Sequence, residues 1–211
     1  MNELYIIGAG GFGRETAWLV ERINEERQTW EIKGFIDDNE SLWGTVCGGY
    51  PVLGGLSYLQ KLDHAAWCVC AVGSAEVRKK IVRSIHKAIH IRFATLIDPK
   101  VNISKRVSVG EGSIICAGSI ITVDICIGRH NIINLDCTIG HDAVLADFVT
   151  LYPSVNVSGQ VKIGECTEVG TGANIIQGKR IEDRTVIGAG AVLVRDIETP
   201  GTYIGVPARK L

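Results

Sequence analysis

The chain has 211 residues, of which 46% are hydrophobic, and 22 Lys and Arg stand against 23 Asp and Glu for a formal net charge of −1. That is enough apolar material for one large domain or two small ones, without the basic excess of a nucleic-acid-binding surface. No apolar run reaches the roughly 18 residues of a membrane span, and the chain opens on a strand-like run, Leu4 to Ile7, that lacks the features of a signal peptide.

In chain order, residues 3–7 read as a strand, a Gly-rich turn follows, and Phe12 to Glu26 reads as a helix. Residues 31–36 form a second expected strand, 57–62 a short helix, 65–72 a third strand and 75–87 a second long helix. Strands alternating with helices imply a parallel sheet with helices on its faces. Residues 1–90 are therefore expected to form a small α/β Rossmann-like domain, too short for two mononucleotide-binding halves. The seven cysteines are irregularly spaced and contain no C-x-x-C pair. They read as buried thiols in the reducing cytoplasm, not as a zinc site.

From Ile97 the period becomes six. An aliphatic residue stands at every sixth position from Ile97 through Ile115, Ile139 and Val169 to Leu193, without a slip. Gly often follows it, as at Gly110, Gly128, Gly140, Gly164, Gly170 and Gly188, and is expected to relieve a tight turn. Four positions after it, small or β-branched residues recur, among them Ser113, Ser119, Val149, Thr167, Ala173 and Ala191. Hexapeptide repeats are a β-helix signature. Residues 91–211 are expected to form an all-β left-handed parallel β-helix with a short tail. Three hexads make one triangular coil, aliphatic residues stack inward, and coils lie at the strand spacing of about 4.8 Å.

Together these pieces resemble the NeuD/PglD-type sugar acetyltransferases. The resemblance is carried by YIIGAGGFG at 5–13, GFIDD at 34–38, AVGSAEVRKK at 71–80, CTIGHD at 137–142 and GVPAR at 205–209. It implies acetyl-CoA as acyl donor, no metal, and a nucleotide-linked amino sugar as acceptor. It also implies a homotrimer with active sites between neighbouring β-helices, located in the cytoplasm.

Acyl transfer from a thioester needs a base for the nucleophile's proton and a donor for the oxyanion. His64, His86 and His90 fall in the first domain and read as solvated, whereas His130 and His141 fall outside the inward positions of the repeat and are expected to point outward. His141 matches the family's catalytic base, and Asp142, where close relatives carry Glu, would orient it. His130 reads as surface or subunit packing. One coil beyond His141 stands Gly159, which the resemblance assigns to the oxyanion and acetyl-CoA. It likewise assigns Thr171 and Ala189 to backbone contact with the CoA arm and Asn134 to the neighbourhood of the sugar. Arg209 and Lys210, in the tail, suit the CoA phosphates.

Gly8, Gly10 and Gly13 satisfy G-x-G-x-x-G between a strand and a helix, a pattern that lets backbone approach a phosphate at the helix start. Gly10, Gly11, Phe12, Asp37 and Asp38 are the expected acceptor contacts, with Phe12 replacing a His common in relatives. The leading expectation is acetylation of the 4-amino group of a nucleotide-linked 4-amino-4,6-dideoxy sugar. The alternative is O-acetylation of sialic acid or a polysaccharide hydroxyl. A metal-dependent β-helix enzyme would need three shared His where the repeat holds two. A non-catalytic scaffold leaves the His–Asp pair without a purpose.

Overall fold

The computed structural model describes residues 1–85 and 90–211. His86 and the end of the helix expected to reach Lys87 lie outside the described residues. The first unit contains β1 (Asn2–Ile7), α1 (Gly11–Glu26), β2 (Trp30–Ile36), β3 (Val46–Cys47), β4 (Tyr50–Gly54), α2 (Leu56–Gln60), β5 (Ala66–Cys70), most of α3 (Ala75–Ile85) and β6 (Ile91–Phe93). Its sheet runs β3-β4-β2-β1-β5-β6, parallel except for the β3–β4 hairpin. Apolar residues of the central strands form the core, with Leu4, Ile6, Phe35, Ile36 and Val69 fully buried.

Two features depart from the sequence expectation. The β3–β4 hairpin was not foreseen, because Gly48, Gly49 and Pro51 interrupt any strand pattern. The division between units falls after Pro99 and not after residue 90, because β6 pairs with β5 as a further strand of the first sheet.

The second unit, Lys100–Leu211 with Ser74–Glu76, is built from two-residue strands at six-residue spacing. They form three parallel sheets, the faces of a triangular β-helix. The first face includes Ile114–Ile115, Ile132–Ile133, Thr150–Leu151, Glu168–Val169 and Val186–Ile187. The second runs from Asn102–Ile103 through Thr138–Ile139 to Val192–Leu193, and the third from Ser108–Val109 through Val144–Leu145 to Arg180–Ile181. Every coil pairs with the next in one register, as in Ile121↔Ile139 and Ile139↔Val157. Every sixth residue from Ile115 to Leu193 is at most 4% exposed, while Ile103 and Val109, in strands paired on one side only, are half-buried. Each fully buried Leu or Ile contributes roughly 1.5–3 kcal/mol.

The glycines after the aliphatic positions serve a different purpose from the one expected. They are not in the left-handed region. They keep adjacent coils close: a Cβ on Gly110 would lie 2.6 Å from the Gly128 carbonyl carbon, and one on Gly170 would lie 2.5 Å from Ala189 N. The left-handed residue of each corner comes two places later. Gly112, Gly118, Gly172, Gly178 and Gly190 take it freely, but Asp124, His130, Asp136, Asp142, Phe148, Ser154, Gln160, Cys166 and Arg184 take it with φ between 53° and 62°.

His130 corrects another expectation. It is 3% exposed, and its ring stacks on Phe148 of the next coil at 5.1 Å between centroids. The left-handed turn folds the ring back along the corner, where Gly112 in the preceding coil leaves it room. His64 is half-exposed between Asp63 and Glu3, whose carboxylates raise its pKa; His90 is partly covered, with Nε2 3.2 Å from the Leu59 carbonyl oxygen.

Cys68, Cys70, Cys116, Cys137 and Cys166 are buried as expected, but Cys126 is exposed on the third face. Burial pushes the Cys70 thiol up to about 12 and Cys137 to about 11. Ellman's reagent near pH 8 should therefore label Cys126 first and reach Cys70 and Cys137 only after denaturation; early labelling of those two would contradict the packing. No helix among the described residues is long and apolar enough to cross a membrane.

Chemical denaturation should show Leu151→Ala, at a fully buried position, losing about 2–5 kcal/mol of stability. Ser154→Gly, at φ 60°, should gain roughly 1 kcal/mol by relieving the left-handed strain.

Candidate active site

At the corner between the second and third faces, His141 follows the inward Ile139 by two residues and remains half-exposed. Asp142 adopts φ 60°, and this turn brings its short side chain back so that Oδ2 lies 2.8 Å from His141 Nδ1. The carboxylate thus fixes the tautomer in which Nδ1–H donates and Nε2 keeps its lone pair. Nε2 makes no hydrogen bond to a described residue.

The uniform register sets Gly159 directly against the imidazole. A Cβ there would lie 2.6 Å from Nε2 and 2.7 Å from Cε1, so only glycine admits the ring in this position. The Gly159 N–H has no hydrogen-bond partner among the described residues, although the residue is buried. The corner therefore sets the imidazole against Gly159, whose N–H is unpaired among the described residues.

Asn134, Thr171 and Ala189 lie at a different corner, between the first and second faces. The N–H groups of Thr171 and Ala189 also make no hydrogen bond to a described residue. Asn134 Oδ1 accepts from Leu135 N at 2.7 Å, leaving its amide NH2 as a donor. One chain therefore separates these three residues from His141 by the width of a face. In the tail, Arg209 and Lys210 form a short strand antiparallel to Thr202–Ile204; Lys210 donates to Thr199 Oγ1, and the exposed Arg209 guanidinium donates to the Ala208 carbonyl oxygen.

In the first unit, the Gly-rich turn passes tightly from β1 into α1. Gly8 has φ 101°, and a Cβ on Gly13 would lie 1.9 Å from the Gly8 carbonyl oxygen, so the turn and the close helix–strand packing both require glycine. Nothing lies within 4 Å of a Cβ built on Gly10 or Gly11, and the first turn of α1 carries no acid. Half-buried Phe12 is the second residue of this turn, and its carbonyl accepts from the Thr16 hydroxyl.

Behind the turn is a cavity of about 230 Å³ lined by Ile7, Gly8, Asp37, Asp38, Leu56 and Val72, among others. Asp37 accepts from Ala9 N and Asn39 N, both at 2.9 Å, and so ties the glycine turn to the end of β2. Asp38 Oδ1 accepts from Leu56 N at 2.9 Å and caps α2, whose N-cap, Gly55, has no side chain to do so. Both acids thus have structural partners besides any ligand.

Two residues here were not singled out from sequence. Arg78 is fully buried and donates from Nη1 to the Val72 and Gly73 carbonyl oxygens at 2.7 and 2.9 Å, shaping one cavity wall. Its place within AVGSAEVRKK was the available signal. Trp43 carried no pattern; its indole donates to the Asp37 carbonyl oxygen at 2.7 Å. Among the described residues no group of His, Cys, Asp and Glu has the arrangement of a metal site.

The family model for the PglD N-terminal domain matches residues 3–85. GDP-perosamine N-acetyltransferase of Escherichia coli O157:H7 is 30% identical over 193 residues, covering 90% of this chain and 85% of the relative. The acetyltransferase domain of PglB from Neisseria gonorrhoeae, solved with acetyl coenzyme A, superposes with a TM-score of 0.90 at 30% identity over 100% of both chains. PerB from Caulobacter crescentus, solved with CoA and GDP-perosamine, superposes with a TM-score of 0.87 at 29% identity, covering 100% of this chain and 98% of the other.

Asp38→Ala should lower stability by about 1 kcal/mol in urea denaturation, through loss of the α2 cap. Unchanged stability would assign this carboxylate to ligand contact alone.

Proposed function

The chain belongs to the NeuD/PglD-type family of sugar acetyltransferases, enzymes that use acetyl-CoA, and from that premise we propose that it acetylates the amino group of a nucleotide-linked 4-amino-4,6-dideoxy sugar. The observation that carries the chemistry is the His141–Asp142 pair set against Gly159. His141 Nε2 takes the proton from the sugar amine as its nitrogen attacks the thioester carbonyl. Asp142 holds the ring and stabilises the imidazolium that forms. The Gly159 N–H donates to the oxyanion of the tetrahedral adduct. Collapse of the adduct breaks the carbon–sulfur bond, and His141 returns the proton to the departing CoA thiolate. The amide product and free CoA complete the balance.

The CoA arm would run along the open N–H groups of Thr171 and Ala189, with Arg209 near its phosphates. Thr171 and Ala189 lie at one corner of the second face and His141 at the other. The family resemblance implies a homotrimer with active sites between neighbouring β-helices, and in that reading one copy supplies the His141 corner and its neighbour the Thr171 corner. The second face then turns toward the threefold axis, and its Thr138, Asn156 and Asn174 side chains already form a hydrogen-bonded ladder.

Nitrogen is favoured over oxygen as the nucleophile by the Escherichia coli relative, named as an N-acetyltransferase of a GDP-linked sugar. CoA release should be measured with GDP-, UDP- and dTDP-linked 4-amino-4,6-dideoxy sugars and with free sialic acid. Turnover confined to a nucleotide-linked amino sugar is expected; turnover of sialic acid alone would overturn the reading. His141→Ala should reduce kcat at least about a hundredfold. Gly159→Ala should reduce it about tenfold or more by displacing the ring, with the circular dichroism unchanged. Near-normal rates in His141→Ala would sink the general-base mechanism.

A further inference from the structure

Trp43 presents a half-exposed indole at the end of β2, and we propose that this ring is the platform on which the nucleobase of the acceptor stacks. The inference rests on the nucleotide-linked acceptor read above and adds the residue that grips its base.

A large apolar ring left 43% exposed is here held in one orientation. Its Nε1–H donates to the Asp37 carbonyl oxygen at 2.7 Å, and its backbone N–H donates to the Glu40 carbonyl oxygen at 3.1 Å. The benzenoid edge approaches Gly55: a Cβ there would lie 3.4 Å from Trp43 Cζ2 and 2.6 Å from Asp38 Oδ1. Gly55 thus lets the indole and the Asp38 carboxylate sit side by side. Asp37, Asp38 and Leu56, which immediately follows Gly55, line the 230 Å³ cavity, and the indole is tied to the first of these and lies beside Gly55.

The covalent order of a nucleoside diphosphate fits this line. A diphosphate at the open start of α1, near Gly8, Gly10 and Gly11, brings the ribose to the acids that end β2. Asp38 Oδ2 makes no hydrogen bond to a described residue and is available to a ribose hydroxyl. The base then extends past the end of β2 on the side of β4 and α2, where Trp43 lies. Stacking on an aromatic face is tolerant of base identity because every base has a π-face. Trp43 therefore supplies affinity for the nucleotide, and selection among bases falls to the edges of the pocket.

The test is calorimetric titration of the full chain with GDP, UDP and dTDP. Trp43→Ala should weaken whichever nucleotides the wild type binds by about tenfold, as expected for loss of one base stack. It should raise KM for the nucleotide sugar and leave kcat near wild type. Trp43→Phe keeps a stacking face but loses the N–H bond to Asp37, so it should retain most of the affinity while the nucleotide-induced quenching of tryptophan fluorescence disappears. Wild-type affinity in Trp43→Ala would overturn the proposal. So would a Trp43→Phe variant as weak as Trp43→Ala, which would assign Trp43 to holding Asp37. A wild type that binds none of the three nucleotides would instead overturn the acceptor reading, and this inference with it.

Discussion

Each coil of the β-helix is tied to the next by inward aliphatic side chains standing one above another, from Ile115 to Leu193, with no residue inserted between turns. This stack converts position in the sequence into position in space. Residues one coil apart become neighbours, whatever their own chemistry. His141 meets Gly159 for that reason, and His130 meets Phe148 for the same reason. The candidate active site is thus a by-product of register: the core holds the coils in phase, and the corners inherit the alignment. Glycine at 110, 128, 140, 164 and 170 serves the same end by letting backbones approach where a methyl group would collide.

Much of this was legible in the residues. Seventeen aliphatic positions in one phase define the coil without any tertiary information, and the small residues four places on, such as Ser113, Thr167 and Ala173, are buried as that geometry requires. The corner conformations were not legible. Gly and Asp, which favour the left-handed turn, hold many of the corners, but His130, Phe148, Ser154, Gln160, Cys166 and Arg184 adopt it too, so residue type marks it only in part. The pairing of neighbouring coils imposes the conformation over local preference. The burial of His130 is hidden from the sequence for this reason, since it depends on a turn that the sequence does not signal and on space left by Gly112 in another coil.

The first unit divides along similar lines. Its glycine turn could be read because the physical demands on Gly8 and Gly13 are strict. The functions of Asp37 and Asp38 could not, because a carboxylate that ends a strand suits a ribose, a helix cap and a loop tie equally well. Here they tie Ala9 and Asn39 and cap α2. The placement of Trp43 leaves no mark in the sequence, because it depends on a hydrogen bond to a main-chain atom six residues away and on the absence of a side chain at Gly55. Neither produces a periodic signal.

The uninterrupted register also restricts how such a chain can change in length. A single residue gained or lost within a strand between His141 and Gly159 would rotate every later position out of its column, exchanging core for surface in all the coils that follow. Length can change without that scrambling only by whole turns or by residues looped out at a corner. Even a whole turn placed between these two residues would bring a new neighbour under the imidazole in place of Gly159. Lineages of this fold are therefore expected to vary in length by complete turns at the ends or by loops at the corners, with the coil pair that carries the histidine passing through unaltered.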